Sequence, residues 1–372
     1  MKVEFCRHTL EKEDIERVQE VLNSIILTTG QVTAEFEEKF AAYTGLPYMV
    51  GLTSCTAALH LALLALKIGP GDEVITTPMT FLATATAVLH TGAKPVFVDV
   101  EPETGLIDAK KIEAAVTPRT KAILPVHLYG VMADMRAIAD IAKRRGLKVI
   151  EDCAHCIEAE RDGVRPGELS DAACYSFYAT KNLTSGEGGS LGTRNKELAD
   201  QIRILRLHGM SADAAARYTS KYKHWDLEVV GLKYNMDNIH AALLVRQIGR
   251  LDANWKKRRD LSGRYREKLS EIAAIRMPAV KGKSAYHLQT IWVNPEIRDE
   301  VISKMQAKGA GVAVNYRSVH TLRYFRETYG YQPSDFPNAH LIGQQTVSLP
   351  LYPKLDPEEI DYVIEAVKDS LA

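Results

Sequence analysis

A lysine and an aspartate lie at positions in the sequence where a charged side chain is costly. Lys181 stands in "SFYATKNLTSGEGG", between a hydrophobic strand and a glycine-rich run, and Asp152 ends "KVIED" 29 positions earlier. A lysine held inside a site can lose its proton and form a Schiff base, whereas a surface lysine extends its ammonium into water. A buried carboxylate needs a cationic partner, which a protonated pyridine nitrogen would provide. An isolated aspartate would be read as a helix cap or a structural ion pair, but together with Lys181 it favours a cofactor site.

A second arrangement could bind an anion. In "LTSCTAALHLAL" small and hydroxyl residues open a helix directly after a strand, and the free N–H groups of such a helix start attract a phosphate. Capping alone would also explain Ser54 and Thr56. Ser176, on the strand before Lys181, could add a hydroxyl to the same phosphate. Phe81 is an aromatic among small residues, so it either packs in the core or stacks on a flat cofactor ring.

The stretch "CAHC" allows a rival interpretation. Cys153 and Cys156 form a CxxC with His155 between them, which is compatible with a zinc or redox site. A structural zinc usually shows a second paired set of ligands, and the sequence has none. We therefore expect no metal, and reduced, buried thiols for all five cysteines.

The elements that must position these residues follow an α/β pattern. Between residues 47 and 193 β-branched runs alternate with Ala- and Leu-rich helical stretches, which predicts a large, mostly parallel sheet with helices on both faces. The seven strand candidates are "YMVGLT", "EVITT", "PVFVDV", "KAILPVH", "KVIED", "ACYSF" and "GSLGT". Ligands bind beyond the carboxyl ends of strands in such sheets, where Thr53–Thr56, Asp152 and Lys181 all fall.

The remainder of the chain predicts a smaller unit. A long basic helix, "RLDANWKKRRDLSGRYREKLSEI", is followed by the strand candidates "HLQTIWV", "GVAVNY" and "QTVSL". We expect a large domain over residues 1–250, including an N-terminal helical segment, and a smaller C-terminal α/β domain over residues 251–372.

Charge and hydropathy narrow the class of function. Lysine plus arginine total 47 and aspartate plus glutamate total 47, so no net charge favours nucleic acid or an anionic membrane. The first residues do not resemble a signal peptide, and no apolar run is long enough to span a bilayer. These features predict a cytoplasmic protein that acts on small molecules.

The motifs together resemble the DegT/DnrJ/EryC1/StrS group of sugar aminotransferases, which have the fold-type I architecture and depend on pyridoxal 5'-phosphate (PLP). The resemblance covers nearly the whole chain, from "TTGQVTAEFEEKFAAYTG" through "TSCTAALHLAL", "TFLATATAVLHTGAKPVFVDVEPETGLID", "VHLYG", "VIEDCAHC", "SFYATKNLTSGEGG" and "GLKYNMDNIHAAL" to "SLPLYPKL". It implies a seven-stranded sheet and a homodimer with active sites at the subunit interface.

The resemblance also implies a role for individual residues. Lys181 matches the Schiff-base lysine and Asp152 the partner of the pyridine nitrogen. The other positions implied to contact the cofactor are Thr56 and Ala57 (backbone phosphate cradle), Ser176 (phosphate hydroxyl), Phe81 (ring stacking), His155 (beside the cofactor) and Asn235 (phosphate of the neighbouring subunit's cofactor).

Two departures from the family pattern occur in these motifs. The common family form has Asn and Arg where this chain has Lys233 and Asn235, so either residue is a candidate for the cross-subunit contact. Cys55 replaces the more usual glycine of the phosphate cradle.

The activity implied is transfer of an amino group from glutamate to a nucleotide-linked keto sugar in surface-polysaccharide or secondary-metabolite sugar synthesis. The "KYN" stretch resembles the branch that acts on UDP-linked 4-keto sugars, and Tyr316 and His320 in "NYRSVH" resemble a segment that lines the sugar site. Surface packing is the alternative for these two residues. An aminocyclitol transaminase, a CxxC metal or redox protein, and a binding module without turnover are the other functions that the sequence leaves open.

Overall fold

The computed structural model describes residues 1–210 and 224–371, and within them a large sheet carries the predicted motifs. All seven strands predicted between residues 47 and 193 are present. They are β1 (Tyr48–Leu52), β2 (Glu73–Thr76), β3 (Lys94–Phe97), β4 (Thr120–Leu124), β5 (Lys148–Asp152), β6 (Ala172–Ser176) and β7 (Gly189–Thr193). Their spatial order is β1-β7-β6-β5-β4-β2-β3. Strand β7 runs antiparallel to both of its neighbours, and the other pairs are parallel.

Helices cover both faces of this sheet. Those that come before or between its strands are α1 (Lys12–Leu22), α2 (Gln31–Thr44), α3 (Cys55–Ala65), α4 (Leu82–His90), α5 (Ala109–Ile112) and α6 (Met135–Arg145). After β7 follow α7 (Lys196–Leu205) and α8 (Asn238–Val245).

Successive side chains of a strand point to opposite faces, and here both faces are buried. Ala122 and Leu124 of β4 pack in one core with α3 and α7, whereas Ile123 packs in another with α6. The strands are uninterrupted apolar runs in the sequence because both of their faces are buried.

A second, smaller core follows in the chain. Its elements are α9 (Leu251–Leu269), β8 (Gln289–Trp292), α10 (Arg298–Ala307), α11 (Arg323–Tyr329), α12 (Pro337–Gln345), β9 (Thr346–Leu349) and α13 (Pro357–Leu371). Strands β8 and β9 pair antiparallel. Val3 packs in this core and forms a bridge with Ala310, so the first residues of the chain lie against its C-terminal part. The division at residues 250 and 251 stays a prediction.

One predicted strand is wrong. The "GVAVNY" stretch forms only an isolated bridge, in which the backbones of Ala313 and Ser348 exchange hydrogen bonds of 3.1 and 2.8 Å. The chain then leaves β9, because Asn315 and Tyr316 line a cavity beside the large sheet instead of continuing the ladder.

No helix within the described ranges is both long and apolar enough to cross a membrane.

Candidate active site

A cavity of about 520 Å³ opens at the carboxyl edge of the parallel strands. Strand ends and helix starts that are far apart in sequence meet there, as the topology of such a sheet requires. Seven of the predicted site residues line it: Thr56, Phe81, Asp152, His155, Ser176, Lys181 and Tyr316.

Lys181 lies in the loop after β6, where its backbone N–H donates to the carbonyl oxygen of Tyr178 at 2.9 Å. Burial of its amino group lowers the pKa of Lys181 to about 8, although the negative charge of Asp152 acts in the opposite direction. An amine with this pKa is partly unprotonated near neutral pH and can act as a nucleophile or as a base.

Asp152 ends β5 with a buried carboxylate, and its two oxygens accept different hydrogen bonds. The Thr84 hydroxyl donates to Oδ2 at 2.8 Å, and the backbone N–H of Ala154 donates to Oδ1 at 3.1 Å. The hydroxyl of Thr84 also lies 2.7 Å from that of Thr80. Both threonines lie in "TPMTFLATATAV", where no pattern in the sequence distinguishes them from the neighbouring threonines.

The start of α3 is capped by a side chain and lies in close contact with β7. Ser54 is the N-cap, and its hydroxyl accepts a 3.0 Å hydrogen bond from the backbone N–H of Ala57. The capping interpretation of Ser54 is therefore correct, and Ala57, which does not line the cavity, already has a partner for the N–H assigned to the phosphate cradle. A Cβ on Gly189 would lie 2.2 Å from the carbonyl carbon of Ser54, so only glycine lets β7 pass this helix start.

His155 is buried beside the cavity in a group of polar rings. Its Nε2 lies 3.0 Å from the Tyr316 hydroxyl, and its ring centroid lies 4.3 Å from that of His287. Nδ1 of His287 in turn lies 3.1 Å from Oδ1 of Asn182, the residue after Lys181. Burial lowers the pKa of His155 well below its ordinary value, so its imidazole is neutral. Its Nδ1 is buried without a hydrogen-bond partner in the described part of the chain.

Phe81 precedes α4 and is 52% exposed, which argues against the core-packing interpretation. Its ring centroid lies 5.7 Å from that of Tyr316, and both side chains line the cavity. The cavity thus has a charged region at Lys181 and Asp152 and an aromatic region at Phe81 and Tyr316.

Besides Ala57, two of the predicted site residues do not line the cavity. His320 is fully buried, with its ring centroid 5.0 Å from that of Phe336, and it does not line the cavity. Asn235 pairs with Leu52 of β1; its amide nitrogen donates to the Thr29 hydroxyl at 2.7 Å, and its amide oxygen accepts from Lys233 at 2.6 Å. Tertiary packing thus removes His320 from the site and engages the amide of Asn235 within its own chain.

The sequence matches one known protein family over almost its whole length. A sequence profile of the DegT/DnrJ/EryC1/StrS aminotransferase family matches residues 8–368. The chain belongs to this family.

Individual relatives of this aminotransferase agree with that assignment. The spore coat polysaccharide biosynthesis protein SpsC of Bacillus subtilis is 45% identical over 366 residues, which cover 96% of this chain and 94% of SpsC. A UDP-4-amino-4-deoxy-L-arabinose–oxoglutarate aminotransferase of Shewanella sediminis is 37% identical, with coverages of 98% and 97%. Among solved structures, the PMP form of Spr1654 from Streptococcus pneumoniae superposes with a TM-score of 0.93 at 31% identity, with 99% of each chain covered. The predicted family, fold class and enzyme class are confirmed.

The CxxC alternative has no chemical support in the aminotransferase. All five cysteines are free thiols, and burial raises the pKa of Cys153 and Cys156 well above the ordinary thiol value, which disfavours the thiolate that metals and disulfide exchange require.

His127, Glu151 and Cys153 do lie close enough together to hold an ion. Hydrogen bonds already use the ligand atoms of the first two: Nδ1 of His127 accepts the Ala133 N–H at 3.2 Å, its Nε2 lies 2.6 Å from Oε2 of Glu151, and Oε1 accepts the Gly167 N–H at 2.8 Å.

Proposed function

We propose that this aminotransferase moves an amino group from glutamate to a nucleotide-linked keto sugar, with a UDP-linked 4-keto sugar as the preferred acceptor. The observation that carries the proposal is the lysine with a lowered pKa that shares one cavity with a buried, hydrogen-bonded carboxylate. The relatives named above support a sugar substrate, and one of them is named for a UDP-linked amino sugar.

The cofactor is pyridoxal 5'-phosphate, because the pneumococcal relative has been solved in its PLP form and in its PMP form. The cavity suits this group. Its volume of about 520 Å³ lies in the usual range of small-molecule sites, and Nδ1 of His155 is a buried polar atom without a hydrogen-bond partner in the described part of the chain. When bound, the cofactor supplies an electron sink for the carbon that gains or loses nitrogen.

The chain's own residues divide the remaining work. Asp152 carries the negative charge for the ring nitrogen, and the hydroxyl of Thr84 fixes which way its carboxylate faces. The backbone N–H groups of Cys55 and Thr56 have no acceptor inside α3, because the first N–H groups of a helix never do, so they are suited to the phosphate. Ser176 adds its hydroxyl and Phe81 covers one face of the ring.

Lys181 both anchors the cofactor and moves protons. Its amine would hold the cofactor by condensing with the cofactor carbonyl and releasing water, and as a free amine Lys181 would act as general base and then general acid. A pKa of about 8 suits both steps, because the amine can gain and lose a proton near neutral pH. The amino donor and the keto sugar react at this amine one after the other, and the first product leaves before the second substrate binds. The kinetics are therefore ping-pong.

The proposal includes a homodimer whose active sites are shared. The loop around Lys233 and Asn235 lies at the carboxyl end of β1, where Asn235 pairs with Leu52. In the proposed dimer this loop provides the contact to the phosphate bound by the other subunit. Asn235 holds the Lys233 ammonium by a 2.6 Å hydrogen bond, which suits a pair in which the cation makes the contact and the amide orients it.

The test is an absorbance spectrum followed by a substrate screen. Purified protein should show the visible band of a protein-bound PLP, and borohydride should fix the cofactor on the Lys181 peptide. In a separate sample without borohydride, glutamate should convert the band, and a keto sugar from a panel linked to UDP, GDP and TDP should restore it. Label on another lysine would refute the catalytic assignment, and a cofactor that responds to glutamate but to no nucleotide-linked sugar would refute the acceptor class.

A further inference from the structure

Phe5 lines the active-site cavity, although it lies 176 positions before Lys181 and outside every motif of the sequence analysis. It is half-buried and belongs to none of the hydrophobic clusters that the described residues form. Core packing therefore does not explain an aromatic ring at this position.

The backbone around Phe5 is held firmly from the other side. The Val3 N–H donates to the Gly309 carbonyl at 2.9 Å, and the Gly311 N–H donates to the Val3 carbonyl at 2.7 Å. The Val3 side chain is 1% exposed in the second core. A Cβ on Gly311 would lie 2.4 Å from the backbone nitrogen of Phe5, so the two segments are in close contact. The backbone of Phe5 is thus held in place, and its side chain lines the cavity.

The residues assigned above to the cofactor leave the contact with the substrate as a role for the Phe5 ring. Lys181, Asp152 and the start of α3 suit the cofactor, and Phe81 suits the cofactor ring. Tyr316 is joined to His155 by its hydroxyl. Phe5 has no polar atom, so what it can offer is a flat apolar surface, and the carbon-bound hydrogens of a pyranose ring form a matching face.

We propose that Phe5 is a substrate-specificity residue that packs on the sugar ring of the amino acceptor. This inference rests on the proposed function. It assigns the first residues of the chain to the acceptor half of the reaction, with no part in the donor half, because glutamate has no sugar ring to meet the aromatic face.

The two half-reactions can be measured separately by following the cofactor spectrum. With a UDP-linked 4-keto-6-deoxy hexose as probe, Phe5→Ala should lose about tenfold in the rate constant divided by KM, mainly through KM, as expected for loss of one aromatic contact. The glutamate half-reaction of the same preparation should stay within about twofold of the wild type, and Phe5→Tyr should restore the sugar half-reaction. Gly311→Ala should reproduce the selective loss, because its Cβ must push the Phe5 backbone away. Tyr324→Ala removes an aromatic that is 53% exposed outside the cavity, and it should change neither half-reaction.

Four results would overturn the inference. Equal losses in both half-reactions would mean that Phe5 supports the fold or the cofactor, and wild-type rates in both would mean that it contacts no substrate. A change of oligomeric state in Phe5→Ala, measured by light scattering, would mean that the ring is a subunit contact. If the wild type reacts with glutamate but with no nucleotide-linked keto sugar, the proposed function is refuted and this inference with it, which distinguishes the two failures.

Discussion

The pKa of Lys181 can be measured on the apoprotein, without turnover and without a known substrate. Its lowering from 10.5 to about 8 arises from burial of the amino group, with Asp152 acting in the opposite direction. At pH 7 a pKa of about 8 leaves about 10% of the amine unprotonated, against about 0.03% at the ordinary value, which is a gain of about 300-fold in the reactive form. Labelling of Lys181 by an acylating reagent should therefore rise with pH around a midpoint near 8.

Asp152→Asn should move this midpoint in a defined direction. The carboxylate stabilises the ammonium, so its removal lowers the pKa of Lys181, by about one unit or more for a neighbouring opposite charge. The assay counts labelled Lys181 peptide by mass spectrometry across a pH series, with Lys12, whose side chain is 86% exposed, as internal standard. Asp260→Asn, at an exposed carboxylate bonded to Arg259, is the matched control and should leave the midpoint in place. A wild-type midpoint near 10, or an upward movement in Asp152→Asn, would refute the electrostatic account of the site.

Three further predictions concern the groups around this pair. Thr84→Val removes the 2.8 Å hydrogen bond to Asp152 and should weaken cofactor binding about tenfold or more, since hydrogen bonds to charged groups contribute about 1.5–3 kcal/mol. Thr84→Ser should restore cofactor binding, and equal affinities of the two variants in a fluorescence titration would contradict the role of the Thr84 hydroxyl. Gly189→Ala places a Cβ 2.2 Å from the Ser54 backbone, so it should lower both the melting temperature and the cofactor content, and an unchanged thermal unfolding curve would show that β7 does not need glycine there. Lys181→Ala mixed with Asn235→Ala should regain activity after subunit exchange, because one site of each heterodimer carries neither defect. Verified exchange without activity would contradict a contact from Asn235 across the subunit interface.

The sequence determined the sheet and the reactive pair because both depend on local chemistry. Apolar runs that are buried on two faces identify all seven strands without reference to their neighbours, as the split of Ala122 and Ile123 between two cores illustrates. Lys181 and Asp152 stand at strand ends, and the carboxyl ends of parallel strands must meet at one edge. Composition and strand-end position were therefore sufficient to place them in one cavity.

Only the tertiary structure decided which other side chains join that pair. Phe5 reaches the cavity because residues far along the chain hold its backbone, and Thr84 meets Asp152 because the first turn of α4 reaches the carboxyl end of β5; neither contact leaves a local pattern. The same cause keeps His320 away from the cavity and ends the "GVAVNY" pairing, since the chain leaves β9 after Ala313 to bring Tyr316 to the cavity. Periodicity reports the face of an element that is buried, whereas a site is formed by contacts between elements, and such contacts depend on distances that only the folded chain sets.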